Sequence, residues 1–297
     1  MTALQDTTVR PEPRTMSERI SRIISKSPVH VILGLIGLVW LVPTLGLLIT
    51  SFRPSADMRS TGWWTVLFEP RFTLANYERV IEAEGMGPAF LNSVFISIPS
   101  TIFPLVVASM AAFALAWVKF PFRDTLFLLI VASMMVPVQI GFIPLVTMFR
   151  ESGLPLLQTY GAVWLAHTAY ALPFGIFLLR NFFITLPKDL IEAARIDGAS
   201  NWGIFRTIIV PLSVPAIAAY GIFQFLWVWN DLLMALVYAQ RNAIQPMTVK
   251  VTSLLGTYAS EWSLLAAAAF LIMIVPLVVF ISLQRFFVQG LLAGSVK

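Results

Sequence analysis

The sequence predicts an all-α polytopic membrane protein, with six transmembrane helices and a short polar helix carried in one connecting loop. Three observations predict it. Of 297 residues, 58% are hydrophobic and only 12% charged, with a mean hydropathy of +0.82, more apolar surface than one soluble core of this length buries. The apolar residues gather in six runs, each long enough to cross about 30 Å of hydrocarbon, which takes about 20 helical residues. The runs are continuous, without the period-two alternation that a membrane-barrel strand requires.

The elements follow in order. Residues 1–28 are mostly polar and end in no small-residue cleavage pattern, so the first apolar run is expected to be retained rather than removed as a signal. Within them, "TMSERISRIISK" sets Met16, Ile20, Ile23 and Ile24 on one helical stripe and Arg19, Arg22 and Lys26 on the other. That pattern suits a helix lying on an anionic inner surface, or a solvated tail. The spans are expected at about 29–50, 91–118, 125–149, 161–183, 210–239 and 263–283. Between the first two, "FTLANYERVIEAEGMGPAFLNS" reads as a short surface helix with Leu74, Tyr77 and Ile81 at helical spacing. In the second, Ala108, Ala112 and Ala116 recur every fourth residue, the pattern that lets helix backbones pack closely. In the third, Pro137, Gln139, Gly141 and Pro144 should disturb the hydrogen-bond ladder, giving a structural kink or a place beside a translocation path. Three segments result: a 1–28 cytoplasmic N-terminal segment, a 29–288 six-helix membrane domain and a 289–297 cytoplasmic tail.

Lysine and arginine set the orientation. With the start inside, Arg10, Arg14, Arg19, Arg22, Lys26, Lys119, Arg123, Arg180, Lys188, Arg195, Arg206, Arg285 and Lys297 face the cytoplasm. Only Arg53, Arg59, Arg71, Arg79, Arg150, Arg241 and Lys250 face outward. Both termini are then cytoplasmic. The net charge of +5 belongs to this bias, so nucleic acid is not an expected partner; the lipid bilayer is.

Several chemistries are excluded. There are no cysteines, hence no disulfide or thiolate metal site, and no metal or cofactor is expected. The chain has no G-x-x-x-x-G-K-[ST], no H-E-x-x-H and no G-x-S-x-G, so neither phosphate-loop ATP hydrolysis nor intramembrane catalysis is expected. Titratable groups within the spans are very few, which gives little support to a proton-driven carrier. In "FQFLWVWNDLLMALV", Gln224, Trp227, Asn230 and Asp231 combine aromatic, amide and carboxylate groups. They are candidates for a substrate path, and equally for helix packing or an interfacial belt. His167 reads as an interhelical hydrogen-bonding group or a proton site.

The stretch "LPKDLIEAARIDGASNWGIFRTIIVPLSVPAI", residues 186–217, gathers three basic and three acidic residues between two long apolar runs. Pro187 suits a first helical turn, Asp189 and Glu192 favour its positive end, and Arg195 follows Glu192 by one turn. Gly198 suits a left-handed stop and Ser200 a new cap. A short cytoplasmic helix follows, either docking a partner through Ala193 and Ala194, with Leu190 and Ile191 as apolar contacts, or resting on its own bundle.

Glu192-Ala193-Ala194, Gly198 after three intervening residues, then Ile209 and Pro211, resemble the EAA signature of permease subunits of bacterial ABC importers. "FTLANYERVI", "FLNS", "MMVPVQ", "IPL", "LLRNFF", "FLWVWNDLL" and "LQRFFVQGLLAGSVK" are similar to the carbohydrate branch, the family of the maltose transporter's smaller permease. "GWW", "WLAHTAYALPFGIFLLRNF" and "FQFLWVWNDLL" resemble its α-glucoside permeases. The likeness covers nearly the whole chain from about residue 29. It implies the type I importer permease fold in a bacterial inner membrane. It also implies a second permease, an ATPase dimer that binds the ATP, an extracytoplasmic sugar-binding protein, and a sugar of the α-glucoside or related di- and oligosaccharide class. On that model Glu192, Ala193, Ala194, Asp197 and Gly198 form the coupling helix, and the 240–262 loop meets the binding protein. Gln289, Gly290, Gly294 and Lys297 lie in a tail that reaches the ATPase. A self-sufficient secondary carrier or channel is the alternative.

Overall fold

A computed structural model describes residues 16–293 except 59, 83, 154, 155, 259 and 260, with side chains described between 28 and 284. Every regular element among the described residues is helical. The main ones are α1 (Met16–Ser51), α2 (Ala75–Glu82), α3 (Met86–Trp117), α4 (Arg123–Ser133), α5 (Phe142–Glu151) and α6 (Tyr160–Phe183). They continue as α7 (Lys188–Ile196), α8 (Asn201–Leu212), α9 (Val214–Trp229), α10 (Leu233–Tyr238), α11 (Met247–Thr257) and α12 (Trp262–Ala293). Four of these, α1, α3, α6 and α12, carry an uninterrupted stretch long and apolar enough to cross a membrane. Two bent pairs, α4 with α5 and α8 with α9, bring the number to six if each pair is one span.

The bends have identifiable causes. Along the third apolar run the chain turns by 97°, so the expected kink is a full break. The N–H groups of Met134, Met135 and Val136 reach back only three residues, to Val131, Ala132 and Ser133, and Pro137 has no N–H to continue the ladder. A 3-10 turn, Val138–Gly141, restarts it as α5. The fifth run departs further from the expected 210–239 span. Its helix starts at Asn201, passes through a π turn at Phe205–Ile209, and bends by 77° where Pro211 and Pro215 flank Ser213. It ends at Trp229, and α10 begins anew four residues later. Hydropathy stays high across all these joints, so composition alone joined what the proline pairs and the Asn230-Asp231 corner separate.

The core is built by close approach. Ala108 and Ala112 of α3 are fully buried and Ala116 is half-buried, as their spacing predicts. Gly175 of α6 lies where a Cβ would overlap the ring of Tyr220 in α9. Tyr220, fully buried, donates its hydroxyl hydrogen to the Ala171 carbonyl at 3.1 Å. Gln224 donates to Ser100 O at 3.1 Å and Trp229 to Ile272 O at 2.9 Å, so polar side chains join α9 to α3 and α12. Helix α1 packs on α12 toward its C-terminal end, while most of its span is exposed, with Trp40 at 76%. Such faces suit lipid or another membrane helix.

Two surface expectations change. Helix α2 exists, but Leu74 and Ile81 are exposed, while Asn76 and Val80 are buried. Asn76 Nδ2 donates to the carbonyls of Ser51 and Arg53, both at 2.9 Å, and Ser51 and Tyr77 share a hydroxyl bond at 2.7 Å. Hydrogen bonds to the end of α1, rather than an apolar stripe, choose the buried face. At the other terminus, residues 16–27 are continuous with α1 rather than a separate helix; their stripe of side chains lies outside the described residues.

Gly175→Val is expected to destabilise the bundle by about 1–3 kcal/mol, the usual cost of overpacking. Thermal unfolding in detergent checks it: Gly175→Val should cost less in a Tyr220→Ala background, where the ring it meets is gone, than in the parent.

Candidate functional site

Helix α7 is fixed at both ends. Pro187 lies just before it, as the capping residue rather than in the first turn. At the far end, Gly198 takes φ +81°, a left-handed conformation that glycine adopts without a Cβ penalty. The Ala199 N–H reaches Ala194 O at 2.9 Å and the Gly198 N–H reaches Arg195 O at 3.1 Å, the paired closure of a Schellman stop. Ser200 Oγ then accepts from the Gly203 N–H at 3.1 Å and opens α8. With one residue between stop and start, the corner is stiff.

Its attachment is equally defined. Ile191 is 1% exposed and packs into the core that includes Ile204, Phe205 and Phe183. Arg195 Nη2 donates to the Trp117 carbonyl at 2.6 Å, so α7 is tied to the end of α3. Glu192, Ala193, Asp197 and Gly198 face outward, and Ala194 is half-buried. The sequence placed Leu190 and Ile191 together as outward contacts; the structure divides them, because Ile191 anchors α7 to its own bundle while Leu190 stays half-exposed. The strongest outward apolar groups beside them are Ile196, 86% exposed, and Trp202. Neither was singled out by the sequence pattern, although Ile196 falls within one turn of Ala193 and is visible on a helical wheel.

A second feature lies between the broken third run, α6 and α9. A cavity of about 740 Å³ is bordered by Pro137, Pro144, Tyr170, Phe174, Gln224 and Trp227, among others. Of the four residues predicted for a path, Gln224 and Trp227 border it. Asn230 and Asp231 do not. The Asn230 amide folds back to donate to Leu226 O at 2.8 Å. The Asp231 carboxylate accepts from the Ala235 N–H at 3.2 Å, capping α10, and approaches His167 Nε2 at 3.9 Å. Trp227 packs edge-on against His167, with ring centroids 5.8 Å apart. His167 thus bridges α6 to the corner after α9. Tyr170 and Pro173, absent from the sequence candidates, also border the cavity; the interior proline of α6 was the available signal.

At the bundle end that carries α2, Arg79 Nη1 meets Glu261 Oε2 at 2.6 Å, lies 3.8 Å from Glu84, and sits over the Tyr258 ring at 4.8 Å. The Glu261 bond raises the guanidinium's pKa further above its ordinary value. This staples α2 to the loop before α12, the far part of the 240–262 segment. At the chain end, Gln289 and Gly290 continue α12 in backbone, with side chains outside the described ones, and Gly294 and Lys297 lie outside the described residues altogether.

Comparison with known proteins gives this geometry a family. The chain is 51% identical over 286 residues to an osmoprotective compounds uptake permease of Synechocystis, covering 95% of each. It is 45% identical over 257 residues to an α-glucoside transport system permease of Rhizobium meliloti, covering 83% of this chain and 68% of that one. In structure it is similar to a chain of a bacterial ABC transporter that imports alginate, with a TM-score of 0.74 at 21% identity, covering 93% of this chain and all of the other. That likeness bears on the fold alone. These relatives are named as transport permeases, and the chain is a transport subunit rather than an enzyme. A family model described as a binding-protein-dependent transport system inner membrane component matches residues 105–292, most of the chain, and this chain belongs to that family.

Proposed function

We propose that this chain is one permease of a sugar-importing ABC transporter, pairing with a second permease above an ATPase dimer and receiving substrate from an extracytoplasmic binding protein. The observation that carries the reading is α7: a doubly capped helix, bound to its bundle through Ile191 and Arg195, turning Glu192, Ala193, Asp197 and Gly198 outward. A helix held this way transmits force, since displacing it must displace α3 through the Trp117 carbonyl and α8 through the Ser200 cap. Ala193 leaves room for a partner surface, and Ile196 with Trp202 supplies apolar contact. The ATP is bound and hydrolysed by the partner subunits. The lysine and arginine bias supports cytoplasmic termini and a cytoplasmic α7. Gln289, Gly290, Gly294 and Lys297 belong to a tail that reaches the same ATPase.

The substrate class is an α-glucoside or a related di- or oligosaccharide, supported by the name of the Rhizobium relative and by names such as the melibiose, raffinose and stachyose permease of Bacillus subtilis. Gln224 and Trp227 line its path. Asn230 and Asp231 shape the end of α9 beside that path. The 240–262 segment, stapled by Arg79 to α2, receives the binding protein.

Reconstitution in liposomes tests the whole reading. Sugar uptake is expected only when ATP, the ATPase, the second permease and the binding protein are all present. Uptake by this chain alone would make it a self-sufficient carrier or channel.

Ala193→Trp and Gly198→Pro are expected to lower uptake at least about tenfold, corresponding to about 1.4 kcal/mol of lost seating, with membrane insertion intact. Uptake assays alongside protease mapping of inserted protein check this; normal transport by both variants removes the docking role. Asp231→Ala should cost about 1 kcal/mol through the lost cap of α10, with the half-saturating sugar concentration little changed. Paired thermal melts and uptake titrations separate that outcome from direct sugar contact.

A further inference from the structure

The segment that follows α1 turns back toward the membrane. After Ser51 the chain runs through a short helical turn, Ser55–Met58, and returns as a 3-10 turn, Trp63–Leu67, that packs on α1. The Trp63 indole lies over Gly46, where an added Cβ would stand 3.0 Å from its Nε1. That contact fixes a depth. The apolar stretch of α1, Pro28–Ser51, has 24 residues and is about 36 Å long at about 1.5 Å per residue, against about 30 Å of hydrocarbon. Gly46 lies about 7.5 Å along the axis before Ser51. With the whole excess of about 6 Å placed at this end, Gly46 would still lie inside the hydrocarbon boundary. Trp63 therefore reaches apolar depth.

The segment is bonded for that position. The N–H groups of Phe68 and Glu69 reach Thr65 O at 3.0 and 2.9 Å, so these donors need no water. Arg53, just past the span, is buried, and its guanidinium donates to Thr61 Oγ1, the Thr61 carbonyl and Thr65 Oγ1. No bare cation then opposes seating the segment at the membrane boundary. The Thr73 N–H closes on Phe52 O at 2.7 Å, and Ser55 shares a hydroxyl bond with Ser263 at 3.0 Å.

What faces outward is apolar. Leu67 is 74% and Phe68 84% exposed, Trp64 is exposed beside them, and Phe72 and Leu74 continue the patch. Charged side chains begin at Glu69 and Arg71, exposed and 3.9 Å apart. An apolar patch of this kind marks a contact surface. The depth set at Gly46, together with the exposed flank of α1 at Leu45 and Leu47, selects lipid as its cover.

We propose that Trp63–Phe68 is a lipid anchor seated in the leaflet at the C-terminal end of α1, with Trp64, Leu67 and Phe68 among acyl chains and Glu69 and Arg71 at the headgroups. It holds the end of α1 at a fixed depth and, through the Asn76 bonds to Ser51 and Arg53, holds α2 with it. The anchor requires only that α1 spans the membrane.

The chain has no cysteine, so a single nitroxide label reports one position. Leu67→Cys, Phe68→Cys, Arg71→Cys and Trp40→Cys are labelled in the full-length chain, assembled with its partner subunits in vesicles of phosphatidylethanolamine and phosphatidylglycerol. Power saturation reads collisions with oxygen, which concentrates in lipid, and with a water-soluble nickel chelate. Oxygen is expected to dominate at 67 and 68, about 5–10 Å into the headgroup–acyl boundary and shallower than at 40, and nickel at 71. Nickel dominating at 67 or 68 puts the turn in water and overturns the anchor. Loss of both collisions there puts it against protein and overturns it equally. The unsubstituted complex gives a second reading that no folding defect can blur. A phosphatidylglycerol with a diazirine on its acyl chain should label the peptide spanning 62–71; label on α1 with none on that peptide overturns the anchor.

Discussion

A peptide group in hydrocarbon has no water to bond, so each N–H and C=O at membrane depth needs a partner within the protein or a wet cavity beside it. Most of this chain satisfies that demand with unbroken helix. Pro43, Pro99, Pro104 and Pro276 remove a donor inside α1, α3 and α12 without breaking them; a break or a cavity accompanies proline at the third run around Pro137, at α6 near Pro173, and at the α8–α9 bend between Pro211 and Pro215. In the last case the bend lies beside the α7 corner, and the carbonyls of Ile209 and Val210 are met by the Ser213 N–H. In the first two, the openings face one another and a cavity lies between them. The same deficit that bends the third run thus accompanies the cavity beside it.

The α7 corner solves a different problem. A helix of nine residues has little stability of its own in water. Here a Schellman stop, a serine start, a buried isoleucine and an arginine–carbonyl bond hold it to the bundle. Each interaction is modest, yet they act on different sides of the helix, so rotation about any one is opposed by another. Rigidity in the loop thus contrasts with irregularity in the spans, where the ladders are interrupted.

Much of the fold was legible because apolar length and proline position are direct consequences of the solvent. The alanine stripe of α3 and the cap residues Gly198 and Ser200 were readable for the same reason, since each depends on neighbours within a few residues. What stayed hidden depends on tertiary pairing. Leu190 and Ile191 look alike in sequence, and only the position of Ile204 and Phe205 decides which one is buried. Asn76 outranked Leu74 because two carbonyls at the end of α1 awaited donors. Asp231 read equally as a path residue or a packing group, and only the end of α9 two residues earlier shows that its carboxylate caps α10.

The corner after α9 shows how one carboxylate can serve structure without leaving the neighbourhood of the path. Asp231 holds α10 through the Ala235 N–H and faces His167 at 3.9 Å, and His167 in turn meets the edge of Trp227. Trp227 is thus supported from behind by a chain of contacts that begins at the cap of α10. An aromatic platform is useful only if its ring plane is held, because a freely rotating indole loses the entropy on binding that a fixed one has already given up. The acidic residue near the cavity thereby helps to hold one of the side chains that border it.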